Sequence, residues 1–560
     1  MVTNYLKKLR ILLLVMLAIT VIAGCASPSV DKTKKPEAQP TTAAGVQAPT
    51  ETKNELDCSP EETLVIAAKA TPQGIDTSFH NSLESMQAFR NVMDTLTAFK
   101  VVKGENGEWT QDFTQVEGRL AQSWVISDEG RTITYKLKQG VLSQAGNELT
   151  ADDVHWTFAR EIGLKAIGSF FAQVVGRLET ADSVKVIDRY TVSFTTSEPN
   201  PLGIIWATHS FNGIYDSVEA KKHITADDPW ATEWLANNSA AFGPYKTGRW
   251  VSGQEVLFVA HAQYHGEKPK MRCILYKEVP NSANRLALLQ TGAVDLAEQL
   301  TPKEITQLKG VSGVKIHNWP GNIISHFEMN VNTAPFDNKL VRQAMSYAFP
   351  YKAALESVYF GTARQATSVN PSTYPDFYGK ETWNYTTDLD HAKSLLTQAG
   401  FEAGFTSTVY IDAGVPEHEQ LAILMRTNLE KIGVTLNIEK LPTGDFYAKL
   451  LLGEFPMFVW QDMPGIPDGG FGIALWVVGG SAINHSNFNN AELNDLYKES
   501  ASTLDQAVRS KNFKKIQEIL IEEAPWVYVA ETGWHIAARE NIEGITWFPL
   551  QDIRWNYISK

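Results

Sequence analysis

The sequence predicts a mixed α/β protein in which strands and helices alternate along most of the chain. Two observations support this prediction. Short runs with alternating apolar and polar residues, such as Thr132–Lys138, have the two-residue period of a half-buried strand. Longer runs with apolar residues three and four apart begin at capping side chains and end at glycine, as helices do.

The first half of the folded chain is expected to begin with a strand. An apolar run at Thr63–Ala68 follows a polar stretch abruptly. Further on, Thr150 can cap a helix, and Asp153 stands three residues later in the position of a capping box. The segments Ser183–Ile187 and Thr191–Phe194 flank a turn and predict a hairpin.

The second half contains clearer helices and ends in strands. Four helices are expected, with starts or caps at Asn281, Asp337, Asp388 and Glu419; three of them end at Gly292, Gly400 and Gly433. After residue 523 the chain returns to strand-like segments at Trp526–Val529 and Gly544–Phe548.

The N-terminus predicts export and lipid attachment. Basic residues precede the apolar run Ile11–Ile22, which is shorter than the roughly 20 residues that span a bilayer. This pattern is typical of a signal peptide at residues 1–24. The small pair Ala23-Gly24 before Cys25 resembles a bacterial lipobox, which implies cleavage before Cys25 and lipidation of its sulfur; ordinary cleavage beside an accidental cysteine is the alternative.

Composition limits the function further. Residues 25–59 are rich in small and polar residues and predict a flexible tether. Loss of residues 1–24 removes three of 50 basic residues and none of 63 acidic ones, leaving a formal charge of −16. Nucleic acid is therefore an unlikely partner. The remaining 536 residues suggest two or three domains. Cys58 and Cys273 could pair, but spacing alone cannot test this.

The search for catalytic or metal-binding motifs gives little. His418-Glu419 begins like a zinc-protease motif, but the second ligand position holds Ala422. Phosphate-binding loops and nucleophile elbows do not occur. His261 and His265 are four apart, yet their surroundings favour a turn over a metal-binding helix. We expect no enzyme activity, no resident metal and no cofactor.

Aromatic residues in polar or Gly/Pro-rich segments are candidate ligand contacts. Such rings suit a ligand clamp, although rings covering the edge of a core would look the same. The candidates are Tyr374, Tyr378, Trp383, Trp460 and Trp476.

Several longer motifs together resemble a known family. They are Arg119–Trp124 with Ser127–Gly130, Leu149–Val154, Gly243-Pro-Tyr-Lys246, Arg285–Asp295 and Pro335–Ala344. In this order and spacing they are similar to the extracytoplasmic solute-binding proteins of peptide/nickel/opine-type ABC importers. The resemblance covers most of residues 60–560.

The resemblance implies a periplasmic-binding-protein-like fold, with two lobes and a ligand cleft between them. Lobe I would comprise residues 60–90, 236–316 and 525–560, with an inserted subdomain at residues 91–235. Lobe II would comprise residues 317–524.

The resemblance also implies ligand contacts. Peptide-binding members place an Asp after a Trp against the ligand's α-ammonium, and the corresponding segment here contains Trp460 and Asp462, with Asp468 as a second choice. The spacing differs from the usual pattern, because Asp462 stands two residues after Trp460. Asn484 lies in a segment that resembles the family's Asn-containing loop. Arg364 could pair with a ligand carboxylate or form a surface ion pair.

The expected function is that of a monomeric lipoprotein receptor outside the cytoplasmic membrane. It would capture a small solute and deliver it to an ABC permease whose ATPase subunits hydrolyse ATP. A di- or oligopeptide is the first expected ligand, an oligosaccharide the second, and nickel or a metal chelate the third. A secreted lipoprotein hydrolase is the disfavoured alternative from another functional class.

Overall fold

The computed structural model describes residues 56–481 and 483–560 and has a mixed α/β fold, as the sequence predicts. The predicted signal peptide, Cys25 and nearly all of the tether lie outside the described residues. Within the described part of the chain, no helix combines the length and the apolar character needed to cross a membrane.

Strands occur from one end of the described chain to the other. They are β1 (Thr63–Ala68), β2 (Thr97–Lys103), β3 (Trp109–Gly118), β4 (Ala121–Ser127), β5 (Thr132–Leu137), β6 (Val184–Asp188), β7 (Thr191–Thr195), β8 (Tyr245–Val251), β9 (Glu255–Ala260), β10 (Cys273–Glu278), β11 (Leu296–Ala297), β12 (Val314–Met329), β13 (Ala363–Arg364), β14 (Thr406–Asp412), β15 (Thr435–Leu441), β16 (Met457–Asp462), β17 (Trp526–Arg539), β18 (Trp547–Phe548) and β19 (Asp552–Ile553). The hairpin predicted around residues 183–194 is confirmed as β6 and β7.

One large mixed sheet connects the two ends of the molecule. Within the described residues it has 11 strands in the order β15-β14-β16-β12-β17-β11-β1-β10-β9-β8, with β13 paired to β17. A separate four-stranded sheet, β4-β5-β7-β6, lies between β3 and β8 in sequence. The central neighbours β12 and β17 are therefore the strands that join the two halves of the large sheet.

The helices lie between these strands. They are α1 (Leu83–Val92), α2 (Ala151–Leu164), α3 (Ile167–Phe170), α4 (Gly203–Trp206), α5 (Ser217–Ala220), α6 (Thr232–Leu235), α7 (Ser282–Thr291), α8 (Pro302–Gln307), α9 (Lys339–Ala348), α10 (Tyr351–Ala353), α11 (Gly379–Thr382), α12 (Leu389–Gln398), α13 (Pro416–Glu430), α14 (Thr443–Leu452), α15 (Gly469–Trp476), α16 (Ala491–Ala501) and α17 (Gln506–Glu523).

Most predicted helix caps are confirmed. Thr150 and Asp153 form the expected capping box, and the side chains of Asn281 and Asp388 cap α7 and α12. The expected cap at Asp337 is wrong. Asn338 caps α9 instead, because its side-chain oxygen accepts from the backbone N–H of Leu340 at 2.9 Å.

The backbones of the two long paired strands β12 and β17 approach each other very closely at Gly321. A Cβ atom at this position would lie 1.3 Å from the carbonyl oxygen of Thr532. The register between the two strands also shifts between Trp319 and Ile323. A residue without a side chain is required here so that the two backbones can approach, and the ladder is interrupted at the same point.

Three large apolar clusters form the interior. The lobe I cluster includes Leu64, Phe89, Ile274, Trp547 and Ile553. The lobe II cluster includes Phe327, Met345, Val409, Val459 and Val527. The subdomain cluster includes Tyr135, Phe158, Phe194 and Trp206, together with Ile466 and Phe471 from a distant part of the chain. The domain bounds given above stay a prediction.

The contacts of Arg285 give a structural reason for the family-like motif Arg285–Asp295. Its guanidinium is buried and donates to the backbone carbonyls of Val279 at 2.6 Å, Glu298 at 2.8 Å and Gln299 at 2.6 Å. At the end of the motif, the Asp295 carboxylate accepts from the backbone N–H of Val65 at 2.7 Å. The motif thus holds β1 and the loops around α7 together and does not report on the ligand.

The structure answers the question that the sequence left open about Cys58 and Cys273. The two residues form a disulfide, with their Cα atoms 6.3 Å apart, and the bond closes a loop with a sequence separation of 215 residues. It attaches the segment before β1 to β10, the strand beside β1 in the sheet.

Removing this disulfide is expected to lower the thermal unfolding midpoint of the protein. Because the bond restricts the unfolded chain, its loss should reduce stability by about 2–4 kcal/mol. Thermal unfolding with and without reductant measures the effect. The double variant Cys58→Ser/Cys273→Ser is the control and should unfold at one temperature in both buffers. An equally stable reduced wild type would contradict the expectation.

Candidate functional site

The carboxyl ends of three parallel strands meet at one edge of the lobe II part of the sheet. β14 runs parallel to both β15 and β16, and the three strands end at Asp412, Leu441 and Asp462. Asp412 closes the loop after its own strand, accepting from the N–H of Gly414 at 2.8 Å and from the hydroxyl of Thr443 at 2.7 Å. Ligands of open α/β sheets bind beyond such strand ends, which makes Asp462 the centre of the candidate site.

Asp462 has a partly buried side chain with few compensating partners. Its Oδ1 accepts from the backbone N–H of Met463 at 2.7 Å, and the indole N–H of Trp460 also donates to the carboxylate. Burial raises the pKa of Asp462 to about 6, against the opposing effects of the Met463 N–H, the His326 side chain and Trp460, and the charge of Glu328 adds a smaller rise. A cation placed against this carboxylate would be stabilised by a charge-assisted hydrogen bond.

Aromatic rings form a wall beside Asp462. The ring of Trp460 lies parallel to that of Phe446, with centroids 6.0 Å apart and planes 10° apart. Tyr447 meets Trp460 edge-on at 5.3 Å, and His485 does so at 6.2 Å. Because the Tyr447 side chain is 41% exposed, this wall is accessible from solvent.

Asp468 is held by partners inside the protein. Both of its carboxylate oxygens lie 2.8 Å from Nη2 of Arg509, and Oδ1 also accepts from the backbone N–H of Gly470 as the cap of α15. The side chains of Asp468 and Arg509 are each 6% exposed. The structure therefore gives Asp468 a role in anchoring α15, and we leave it out of the proposed ligand contacts.

Asn484 and Arg364 also have internal partners. The amide of Asn484 is buried, donates to the carbonyls of Val478 and Phe488, and accepts from the N–H of Phe488. It therefore organises its own loop. Arg364 donates to Glu531 on β17 at 2.5 Å, which is the ion pair that the sequence left open as an alternative.

The remaining predicted aromatics lie at different depths. Trp476 is buried beside Trp526, and its indole N–H finds no acceptor among the described residues. Tyr374 is buried and donates to the carbonyl of Pro464 at 2.6 Å, on the loop that follows Asp462. Trp383 is partly buried, with its ring against those of other aromatic residues in the lobe II cluster. The hydrogen bond of Tyr374 thus connects it with the loop after Asp462.

The loop after Asp462 reaches the opposite part of the molecule. Met463 packs against the lobe I cluster. A Cβ at Gly465 would lie 2.8 Å from the side chain of Leu550 and 2.9 Å from that of His209, so this residue must be small. Two residues beyond Pro464, Ile466 enters the subdomain cluster. The strand that carries Asp462 thus continues directly into a loop that packs with two other apolar clusters.

Four residues near the site were not found from the sequence. Phe446 and Tyr447 lie on α14, and they contact Trp460 only because α14 packs over the sheet. His326 and Glu328 lie on β12, both almost fully buried. A histidine and a glutamate two residues apart among the apolar residues at the end of a strand are a signal that could have identified this last pair.

His261 and His265, which stand four residues apart in sequence, contact different partners in the structure. His261 contacts the carbonyl of Gly243 at 3.2 Å, whereas His265 contacts Asp94 at 2.7 Å. In the part of the chain that the structure describes, no group of three or more His, Cys, Asp or Glu residues is arranged to hold a metal ion.

Comparison with known proteins relates most of the chain to one family. The family model described as "Bacterial extracellular solute-binding proteins, family 5 Middle" matches residues 115–483. A probable D,D-dipeptide-binding periplasmic protein, DdpA, of Escherichia coli (strain K12) is 25% identical over 500 residues, which cover 89% of this chain and 94% of the relative. Heme-binding protein A of Haemophilus influenzae is 28% identical over 465 residues, covering 79% and 84%.

A solved structure shares the fold. The crystal structure of the dipeptide-binding protein from Pseudoalteromonas sp. SM9913 in complex with Met-Leu superposes with a TM-score of 0.77 and 22% sequence identity, covering 89% of this chain and 100% of that one. The fold expectation of two lobes around a cleft is confirmed by this likeness.

Proposed function

Because the chain belongs to the bacterial extracellular solute-binding proteins of family 5, we propose that it captures a di- or oligopeptide outside the cytoplasmic membrane and delivers it to an ABC permease. The proposal extends the ligand class of relatives that are described as dipeptide-binding. Binding requires no bond to be broken, and the useful event is closure of the two lobes over the peptide.

The observation that carries the peptide assignment is the environment of Asp462. Its carboxylate lies at the end of β16, receives only modest stabilisation from the protein, and borders the aromatic wall of Trp460 and Tyr447. The α-ammonium of a peptide would supply the missing positive charge, and the first side chains would lie against the rings. The contacts of Met463 and Gly465 across the cleft link this end of the ligand to lobe closure.

Identification of the bound ligand tests the proposal directly. The soluble chain from Ser27 onward would be purified and analysed by native mass spectrometry for co-purified molecules. An intact peptide is the expected result, and peptide at roughly 100 times its Kd should add about 2.7 kcal/mol to stability in a melting experiment. A peptide recovered in cleaved form would instead support the hydrolase alternative.

Peptide affinity is expected to fall in acid because Asp462 must be ionised to bind an ammonium group. Its pKa in the folded protein is raised to about 6, so the charge is present above that pH and is lost as the pH falls through it. Dipeptide titrations by calorimetry at pH 7 and pH 5 should differ roughly tenfold in Kd. An N-acetylated dipeptide is the control, since it lacks the ammonium group and should bind weakly at both pH values. A pH-independent Kd for the free dipeptide would contradict this role of Asp462.

Two other ligand classes are the alternatives. An oligosaccharide could stack on the rings of Trp460 and the exposed Tyr447, and recovery of a sugar adduct would overturn the peptide assignment. A metal chelate is the third candidate and would have to bring its own ligands, given the lack of a metal-binding group among the described residues.

Membrane attachment forms a separate part of the proposal. A lipid on Cys25 and the following flexible residues would keep the receptor near its permease and raise its effective concentration there. The variant Cys25→Ser is expected to be released from the membrane fraction while keeping the peptide affinity of the wild type. Retention of this variant in the membrane fraction would argue against lipid anchoring.

A further inference from the structure

A buried histidine–glutamate pair lies on the same face of the sheet as the proposed ligand carboxylate. His326 and Glu328 are 1% and 2% exposed. Nε2 of His326 lies 2.9 Å from Oε1 of Glu328, and Nδ1 lies 3.1 Å from the backbone carbonyl oxygen of Ile324. Both ring nitrogens therefore face oxygen atoms.

These contacts determine how many protons the pair holds. A carbonyl oxygen can only accept, so Nδ1 of His326 must carry a hydrogen and donate to Ile324. One further proton is needed between Nε2 and Glu328, because a bare nitrogen and a carboxylate would repel each other. The pair is consequently neutral as a whole, whichever of the two atoms holds the shared proton.

The surroundings favour the charged form of the pair, with imidazolium and carboxylate. The His326 ring stacks on the face of Trp526 at 4.0 Å between centroids and 6° between planes, an arrangement that stabilises a cation. Burial raises the pKa of Glu328, whereas His326, the Ser486 backbone N–H and the Trp526 indole act to lower it. Oε1 of the carboxylate faces Nε2 of His326, which is the donor that supports its charge, whereas Oε2 has no hydrogen-bond partner among the described residues.

The sheet register places the positive end of this pair toward Asp462. Ile324 of β12 is the partner of Asp462 across the strands, and His326 is the partner of Trp460. His326 and Asp462 are therefore diagonal neighbours on one face, at a Cα separation of about 7–8 Å, with Glu328 one pair further away. We infer that His326 and Glu328 form a proton-sharing imidazolium–carboxylate pair whose positive end keeps the Asp462 carboxylate ionised for a cationic ligand group.

Other titratable groups also face these residues. Tyr447 on α14 lies near Asp462, Tyr528 on β17 lies near Glu328, and His418 on α13 lies within the electrostatic reach of His326 and of Asp412. These groups are not part of the shared-proton pair, and the variants below leave all of them in place.

The role of the pair depends on the proposed function of Asp462, so the test measures the ionisation of Asp462 without ligand. Thermal unfolding of each protein is compared with that of the same protein carrying Asp462→Asn, from pH 4.5 to pH 8. The stability advantage of the Asn variant grows with pH until Asp462 is ionised in the folded state and then levels off. The levelling-off pH is expected near 6 in the wild-type background.

Both His326→Gln and Glu328→Gln are expected to move this levelling-off pH upward, by on the order of one unit. Removal of His326 deletes the imidazolium, and removal of Glu328 takes away the carboxylate that keeps the imidazolium protonated. If Glu328 acted on Asp462 only through charge repulsion, Glu328→Gln would move the levelling-off pH downward. The two variants provide independent tests, so that failure of one to fold leaves the other decisive.

His317→Gln is a matched control. His317 also lies on β12, is 3% exposed in its side chain, and contacts Glu108 at 2.7 Å, but it lies at the far end of the strand. It should leave the levelling-off pH unchanged. A downward shift in Glu328→Gln, or no shift in either variant, overturns the inference. A protein that shows the expected shifts but binds no dipeptide would disprove the proposed ligand and leave the pair as inferred.

Discussion

Asp462→Asn is expected to weaken dipeptide binding by about 2–5 kcal/mol, or roughly 30-fold to several thousandfold in Kd. The substitution keeps the shape of the side chain and the contact with the Trp460 indole but removes the charge that would pair with the α-ammonium. Most of the loss arises because the ammonium would then be buried against a neutral amide. Calorimetric titration of both proteins with one dipeptide measures the difference.

A thermodynamic cycle separates the charge pair from other effects of this substitution. Titrating both proteins with the free and the N-acetylated dipeptide isolates the interaction between Asp462 and the ammonium group. Asp495→Asn, at an exposed position on α16 of the same lobe, is the control and should bind as the wild type does. Equal losses for the free and acetylated peptides would show that Asp462 does not contact the ammonium.

The largest expected loss of stability comes from breaking the buried pair between Asp76 and Arg160. Their side chains are 1% and 0% exposed. Nη1 of Arg160 donates to Asp76 at 3.0 Å and to Ser78 at 3.0 Å, a second guanidinium nitrogen contacts Asp76, and Nε donates to the carbonyl of Trp230 at 3.0 Å. Asp76→Ala leaves a guanidinium that cannot lose its proton in the interior, and should destabilise the protein by about 3–5 kcal/mol.

Thermal unfolding of three variants tests this expectation. Asp76→Ala/Arg160→Met removes both charges and should be more stable than Asp76→Ala alone, because an apolar replacement of a whole buried pair is tolerated better than half of it. Arg249→Ala breaks an exposed pair with Glu255 and should change stability by less than about 0.5 kcal/mol. If Asp76→Ala has the same thermal unfolding midpoint as the wild type, the buried pair does not stabilise the folded protein.

Local features were predictable from the sequence because they depend on neighbours a few residues away. The capping box of Thr150 and Asp153 closes within four residues, as do the caps of Asn281 and Asp388. The error at Asp337 has the same local character, since Asn338 beside it has an equally suitable side chain. Motif resemblance added the family and the two-lobed fold, which the comparisons confirm.

The candidate site was predicted only in part because it depends on which strands become neighbours. Trp460 and Asp462 were found through the resemblance, and their sheet position supports the proposed site. Asp468 looked equally suitable in sequence, but Arg509, 41 residues away, occupies its carboxylate. Arg364 likewise pairs with Glu531 at a separation of 167 residues.

By itself the sequence determined the α/β class, most helix ends and the family. These features follow from periodicity, capping and motifs, which act over short stretches of chain. Tertiary structure alone decided that Cys58 bonds to Cys273, that Asp468 is an anchor, and that His326 and Glu328 lie beside Asp462 on one face of the sheet. The physical reason is the same in each case: burial and charge pairing depend on distances in space, and the order of residues along the chain does not give those distances.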